Sequence, residues 1–530
     1  MLRRAMETPL TPLEFMRRAR RLYPHHEALV DGDLRLSYEQ LFARCDRWSA
    51  ALARELGVKQ GDRVAYIAPN THAQLESFYA VPQLGAVLVP INYRLTADDF
   101  AYIIAHSGSR VVCAHSDYLE MVDKIRDQIP GVVHFVALEG AREGWRNYEE
   151  LVAASDGRFE RPQIGERDLM TINYTSGTTA RPKGVMITHR NAHLNSVGTL
   201  LHVPMAARVE RYLWTLPMFH ANGWGFNWTI TAVGGTHVCL RRVEPPRIFA
   251  ELARERITML CAAPTVLIGI ANAPEEVRRG APTGVRVLTA GAPPAAATIN
   301  RIEEELGWVI THVYGLTETA PFITVCEPRP EHAGLSTGDR AVVKARQGVE
   351  LITSGELLVV DDAGDEVAHD GASIGEIVVR GNVVMEGYYN DPEASAVALR
   401  GGYFHTGDAA VVQPDGYVEV RDRIKDVIIS GGENISSVEV EGVLLRHPAV
   451  QEVAVVGMPS EKWGESPHAF VIVRAGASVT EAELREFARE RLAHFKCPAA
   501  FHFVSELPKT ATGKIQKYVL RGKRAGISAQ

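Results

Sequence analysis

Residues 174–184, YTSGTTARPKG, hold two glycines, four Ser/Thr hydroxyls and a lysine. Backbone N–H groups, hydroxyl donors and one cation are the groups that a polyphosphate recruits. The stretch follows an apolar run over 169–172, so it reads as a loop that leaves a strand. It is not a Walker A loop, because GxxxxGK[ST] cannot be laid on it. A Ser/Thr/Gly stretch is ordinarily a mobile surface loop, but this order of residues is too particular for that reading. Other reactive patterns are missing. The six cysteines, Cys45, Cys113, Cys239, Cys261, Cys326 and Cys497, show no CxxC spacing, and most sit in apolar company as buried thiols do. The histidines lack metal spacing such as HExxH.

Such a loop must be held by regular elements, and the chain supplies them. Residues 63–68 predict a buried strand, 73–84 a helix and 86–89 a second strand. The rhythm recurs as a strand over 285–290, a helix over 295–306 and a strand over 308–313. Strand–helix alternation with short loops predicts an α/β fold with parallel sheets. After about residue 330, short strands with Gly and Asp turns (355–360, 361–364, 375–380) predict a small antiparallel β subdomain. A last α+β unit follows residues 421–426. Its helices should start at capping boxes, Ser436 with Glu439 and Thr480 with Glu483, and its strands fall at 453–456 and 469–473. Leu484, Phe487 and Leu492 share one helical face.

The length of 530 residues exceeds one ordinary core. At 46% hydrophobic and 23% charged the composition is that of a soluble protein. No run is apolar for the roughly 18 residues a membrane span needs. The start, MLRRAMETPL, has no hydrophobic stretch after its arginines, and GISAQ is no targeting tripeptide; both point to the cytoplasm. A net charge of −7 gives no reason to expect nucleic acid. Arg17, Arg18, Arg20 and Arg21 read as the solvated face of an N-terminal helix.

YTSGTTxxPKG resembles the signature loop of the adenylate-forming superfamily: acyl-CoA synthetases, peptide-synthetase adenylation domains and beetle luciferases. Further superfamily motifs stand in order along nearly the whole chain: YGLTET at 314–319, YFHTGD at 403–408, RDRIKDVIISGGENISSVEVE at 421–441 and PKTATGK at 508–514. One departure is Ala180, where the family often has glycine; a positive φ there would disfavour alanine. The resemblance implies a large N-terminal domain, 1–425, of two helix-flanked sheets plus a β subdomain at about 330–422. It implies a smaller mobile C-terminal domain at 426–530. It also implies ATP, Mg²⁺ and coenzyme A as reaction partners. Thr175, Ser176, Gly177, Thr178, Thr179 and Lys183 would hold the phosphates. Gly291 and Tyr314 would flank adenine, with Gly315 and Thr317 beside them. Asp408 and Arg423 would take the ribose, and Glu318 the Mg²⁺. Lys514 would bridge the carboxylate and α-phosphate, so that Lys514, Glu318 and Thr175 carry the catalysis. Lys425 would be the hinge, and Ser430, Gly431 and Gly432 would face the pantetheine arm. The implied mechanism rests on positioning and charge, which agrees with the lack of a Ser-His-Asp or Cys-His constellation.

Residues 217–228, PMFHANGWGFNW, fall where the family builds its acyl pocket. His220 would stand at the mouth, Trp224 and Phe226 would line it, and Pro321 and Phe322 would face them. The alternation of Trp224, Phe226 and Trp228 also fits a buried strand face. No acidic residue lies in this segment, so a substrate ammonium would have no partner. The acid expected is a medium- or long-chain fatty acid or an aryl-alkanoic acid. Other readings are an acyl-AMP ligase serving a carrier protein, a luciferase-like oxygenase, and an inactive nucleotide-binding scaffold. A homodimer is left open.

Overall fold

The computed structural model describes residues 6–175, 181–430, 433–460, 462–509 and 515–522. Ser176, Gly177, Thr178, Thr179, Ala180, Gly431, Gly432 and Lys514 lie outside the described residues.

Two large sheets form the body. The first has nine strands, running Val349–Glu350, Phe322–Val325, Val309–Gly315, Arg286–Thr289, Met259–Ala262, Arg211–Trp214, Thr236–Cys239, Glu27–Asp31 and Leu34–Ser37. Its central strands are parallel, and only the strands at the two edges pair antiparallel. The second has eight strands: Gly387–Tyr388, Lys183–Thr188, Leu169–Thr175, Val87–Ile91, Arg63–Ile67, Ser109–Ala114, His134–Ala137 and Arg146–Asn147. Two further sheets follow: four antiparallel strands between Glu356 and Arg423, and a five-stranded C-terminal sheet that includes Val450–Ser460 and Gly464–Val473. The fold is α/β, with a large N-terminal part and a smaller C-terminal part, as the sequence predicts.

Boundaries differ where local chemistry intervenes. The expected helix over 73–84 is split into His72–Ala80 and a short 3₁₀ turn, Pro82–Leu84. Pro82 has no N–H to continue the α-helical ladder. Ser436 caps the helix Ser437–Leu444 by accepting from Glu439 N, but the reciprocal half of the expected box is not made. The Glu439 carboxylate is held instead by Lys496 at 2.7 Å. Thr480 and Glu483 form the complete box. In the N-terminal helix Leu13–Leu22, Arg17 is exposed and pairs with Glu14 at 2.7 Å, Arg20 pairs with Asp46 at 2.6 Å, and Arg18 donates to the carbonyl of Ala232. Among the described residues no helix is long and apolar enough to cross a membrane.

The two large sheets share one core, in which Trp48, Tyr66, Tyr79, Trp214 and Trp228 are buried together. They are also tied by charge. Asp31 ends a strand of the first sheet, and His72 opens the helix after strand Arg63–Ile67 of the second. His72 Nδ1 lies 2.8 Å from Asp31 and Nε2 lies 3.0 Å from Glu149. Arg44 joins Glu149 to Glu76, and Arg241 joins Asp31 to Glu139. Burial alone would lower the His72 pKa, but the hydrogen bonds it donates to Asp31 and Glu149 push it up to about 10. A folded pKa above the unfolded value of 6.5 gives stability that is complete below pH 6.5 and is lost as pH rises toward 10. Denaturant unfolding from pH 6 to 10 should show that decline. His72→Gln should cost roughly 3 kcal/mol at pH 6 and flatten it; an unchanged pH profile would mean that the imidazole is not the titrating clamp.

Candidate functional site

The phosphate-loop candidates sit at the mouth of a hairpin. Thr175 ends the strand Leu169–Thr175 and Lys183 opens Lys183–Thr188, and the two are paired directly across the ladder. The lysine lies 4.8 Å from the centroid of the Tyr388 ring. The Tyr388 hydroxyl donates to Glu318 Oε1 at 2.9 Å, so one tyrosine links the lysine to the acidic candidate. Glu318 stands in the short turn Thr317–Thr319, just past the end of strand Val309–Gly315. Gly315 must be glycine, because a Cβ there would come within 1.8 Å of the Pro321 carbonyl oxygen. That close approach folds Phe322–Val325 back against the strand that carries Tyr314.

Asp408 and Arg423 are register partners in the four-stranded sheet. The Asp408 carboxylate, 4% exposed, accepts from Arg423 Nε at 2.7 Å on one oxygen and from the Tyr314 hydroxyl at 2.6 Å on the other. Burial, and then the Asp408 charge, push the Tyr314 phenol well above its ordinary pKa, so it remains a donor. Gly291, Tyr314, Gly315, Asp408 and Arg423 line one cavity of about 220 Å³. Gly291 has φ +91° and nothing within 4 Å of a notional Cβ, so its backbone borders open space.

The C-terminal part closes the same cavity with Glu441, Ile515 and Lys517. Lys517 is largely buried and pairs with Glu441 at 2.9 Å. Asp422 receives the N–H of Ser437 at 2.9 Å, which joins the four-stranded sheet to the first C-terminal helix. Lys425 is exposed in the turn Ile424–Asp426. Burial of its amine and the cations of Arg423 and Arg521 lower its pKa, and Asp426 opposes them. Ser430 lies apart from the cavity, at the end of strand Ile428–Ser430 in the C-terminal sheet.

The aromatic segment is helical, not a strand. Short helical turns cover Ala221–Trp224 and Phe226–Val233. Residues Ala221, Asn222, Gly223, Trp224 and Gly225 all have positive φ, from 35° to 77°, which makes a left-handed turn. For L-residues this costs roughly 1–2 kcal/mol each, so the surroundings must hold it. Asn222 donates to Thr171 Oγ1 at 2.8 Å, and Asn227 donates to the Asn222 carbonyl at 2.9 Å. His220 precedes the turn and is half-buried. Trp224 meets Phe322 at 5.6 Å between ring centroids, with Pro321 next in the chain, so these candidates come together. Phe226 does not join them: it stacks on Tyr212 at 4.9 Å in the core.

Sequence reasoning passed over Tyr388, Asp422 and Lys517. A signal was available for Tyr388, an aromatic in the glycine-bearing run MEGYYN. Asp422 lies inside the RDRIKD motif, one residue before Arg423.

The model of the "AMP-binding enzyme" family matches residues 15–389, and that of the "AMP-binding enzyme C-terminal domain" matches residues 439–514. The chain is 44% identical to 4-hydroxybutyrate–CoA ligase 2 of Metallosphaera sedula, over 97% of this chain and 94% of that protein. It is 40% identical to a 2-methylpropanoate–CoA ligase of Humulus lupulus, over 99% and 97%. It is 38% identical to the peroxisomal trans-cinnamate:CoA ligase of Petunia hybrida, over 97% and 94%. Among solved structures, an anthranilate CoA ligase in complex with anthranoyl-AMP superposes with a TM-score of 0.87 at 26% identity, covering 98% of each chain. A Mycobacterium tuberculosis fatty acyl CoA synthetase gives 0.74 at 30% identity, covering 97% and 98%. Family matches of this extent and relatives of this identity establish that the chain belongs to the AMP-binding, adenylate-forming enzymes, among their AMP-forming CoA ligases.

Proposed function

We propose that the chain activates a compact carboxylic acid with ATP and passes the acyl group to coenzyme A. The observation that best supports this is the single cavity in which Gly291, Tyr314, Asp408 and Arg423 meet Ile515, the residue after Lys514. In the first step a carboxylate oxygen bonds to the α-phosphorus and pyrophosphate leaves. In the second the thiol sulfur bonds to the acyl carbon, AMP leaves and the thiol gives up its proton. Thr175, Lys183 and the residues between them hold the phosphates. Tyr314 and Gly291 take adenine, with Gly315 and Thr317 at its edge. Asp408 and Arg423 take the ribose. Lys514 bridges the two anions of the first step as a compact point charge.

A lone carboxylate braced by a tyrosine hydroxyl suits Mg²⁺, which keeps much of its water and is shared with phosphate oxygens. Glu318 is that carboxylate, and Tyr388 would fix its rotamer. The ion, when bound, neutralises charge on the departing pyrophosphate. The two domains divide at 425/426, with Lys425 as hinge, and Ser430 with Gly431 and Gly432 faces the pantetheine after rotation. The setting is the cytoplasm, where the six unpaired cysteines remain reduced.

For the acid, Trp224 and Phe322 are the apolar walls, 4% and 2% exposed. Phe226 and Trp228 are packed in the core, which favours a compact acid over a long chain. The relatives' printed acids, 4-hydroxybutyrate, 2-methylpropanoate and cinnamate, are compact as well. A panel of carboxylic acids assayed for AMP formation with and without coenzyme A tests the whole reading; AMP formation that ignores coenzyme A, or that no acid elicits, would reject it.

Two predictions concern single residues. Glu318→Gln should raise the Mg²⁺ needed for half-maximal pyrophosphate release, and Tyr388→Phe should do so by about 10-fold, as loss of an outer-shell partner does. A Mg²⁺ titration equal to wild type in both variants would remove Glu318 from the metal site. Lys514→Ala should reduce acid-dependent ATP–pyrophosphate exchange by about 10² to 10³. The same preparation should convert supplied acyl-adenylate and coenzyme A to thioester at nearly the wild-type rate. Equal losses in both half-reactions would show that Lys514 does not leave the site between them.

A further inference from the structure

The strand Val418–Arg423 carries two neighbouring charges that serve different partners. Arg423 turns to Asp408, whereas Asp422 meets Ser437, the first residue of the helix Ser437–Leu444. Asp422 is 3% exposed and Ser437 0%. Asp422 Oδ1 accepts from the Arg423 N–H at 2.8 Å. Its Oδ2 accepts twice from Ser437, from the N–H at 2.9 Å and from the hydroxyl at 2.5 Å. The same hydroxyl accepts from the Lys517 ammonium. Lys517 pairs in turn with Glu441 Oε1 at 2.9 Å, and that oxygen also takes the Val455 N–H at 2.8 Å.

A serine hydroxyl has one proton to give and lone pairs to receive. Ser437 gives its proton to a carboxylate and receives from an ammonium, so both bonds are charge-assisted, which is the stronger class. Burial would lower the Lys517 pKa, but Glu441 and Asp422 raise it above its ordinary value, so the ammonium persists. The hydroxyl is thus a neutral relay between an anion on the four-stranded sheet and a cation near the end of the C-terminal part.

The relay stands where it can set the geometry of the first step. Asp422, Arg423, Glu441 and Lys517 line the cavity that also holds Tyr314 and Asp408. Lys517 opens the helix Lys517–Gly522, and Ile515, two residues earlier, lines the cavity as well. Ile515 is clamped within its own part of the chain: it bridges Lys509, which pairs with Glu452 at 2.5 Å, and the next N–H, that of Gln516, donates to the Pro508 carbonyl at 2.8 Å. Ile515 therefore takes its position from the C-terminal part as a body. Ser437 joins that body to the sheet, through a bond with a charge at each end.

We propose that Ser437 and Lys517 are positioning residues for the first step. The Ser437 hydroxyl, held between Asp422 and Lys517, keeps the C-terminal part in the arrangement that forms the acyl-adenylate, and the relay must break before the thioester step. Neither side chain is asked to touch substrate. This assignment rests on the two-step acid–CoA ligase reading and deepens it by naming the contact that divides the steps. A hydrogen bond to a charged group shifts an equilibrium between two arrangements by about 10-fold or more.

The test uses the full chain and the acid that gives the most AMP with the wild-type enzyme. Acid-dependent ATP–pyrophosphate exchange reads the first step. Thioester formation from supplied acyl-adenylate and coenzyme A reads the second. Ser437→Ala keeps the helix and the N–H to Asp422 but removes the relay. Its exchange should fall by about 10-fold, while its thioester formation stays at the wild-type rate or rises. Lys517→Met keeps the length of the side chain and removes its charge, and it should move the ratio of the two rates in the same direction. Both rates are taken on one preparation, so a partly unfolded sample does not move their ratio, which a merely structural role would leave unchanged. Losses that are equal in the two steps, greater in the second, or absent from both would show that the relay only packs the boundary, and the ligase reading would stand without this one. If one variant fails to fold, the other decides; if neither folds, the relay serves the fold and the proposal is overturned. If no acid elicits exchange from the wild-type enzyme, the ligase reading is lost and this assignment with it.

Discussion

Both oxygens of the Asp408 carboxylate are occupied within the protein. Arg423 takes one and the Tyr314 hydroxyl the other. A charge at 4% exposure requires such pairing, because loss of one partner from a buried pair costs about 3–5 kcal/mol. The pairing also decides the architecture. Tyr314 belongs to the nine-stranded sheet, and Asp408 and Arg423 belong to the four-stranded one. One buried charge thus fixes the β subdomain against the parallel sheet and sets the tyrosine ring at the wall of the cavity. For the proposed nucleotide the acceptor would already be oriented, so little reorganisation would be left for binding.

The parallel sheets supply the other half of the geometry. Ligand crevices in α/β folds open beyond the carboxyl ends of strands. Gly291 lies just past Arg286–Thr289, Gly315 ends Val309–Gly315, and Thr175 ends Leu169–Thr175. The two sheets must hold a constant separation for these strand ends to face one another. The aromatic core and the Asp31–His72–Glu149 clamp on its rim provide that constraint from opposite chemical sides.

Much of this was legible in the sequence, for a physical reason. The alternation of strand and helix follows from local periodicity. The motif residues are fixed by chemistry that acts over a few positions: the Thr175 to Lys183 loop, the turn after Tyr314, the Asp408 strand. Tyr388 was legible only as an aromatic in a glycine-bearing run, because its bond to Glu318 is a contact across 70 residues of sequence. The segment at 221–225 misleads for another reason. A left-handed turn that runs straight into the helix Phe226–Val233 holds Trp224, Phe226 and Trp228, whose spacing of two in sequence copies the period of a strand. Gly223 and Gly225 were the available sign, since consecutive positive φ values are tolerated mainly where glycine recurs.

The rotation that the proposed reaction requires can be weighed from contacts at the junction. Two partly buried charge pairs beside the junction are Lys517 with Glu441 and Arg521 with Asp426. All four residues follow the proposed hinge, so these pairs would travel intact with the C-terminal part. The described bonds that cross it are few: Ser437 with Asp422 through both its N–H and its hydroxyl, Ser436 with the Arg421 carbonyl, Val427 with the Arg423 carbonyl, Arg521 with the Lys425 carbonyl, and Arg474 with Asn272. Hydrogen bonds of this kind, several of them to charged groups, contribute about 1–3 kcal/mol each. A handful of them is a barrier that ligand binding can offset, whereas separating Lys517 from Glu441 would strand a buried charge. Keeping the costly pairs within one moving body, and the cheaper bonds across its boundary, allows two arrangements of one chain to lie close in free energy.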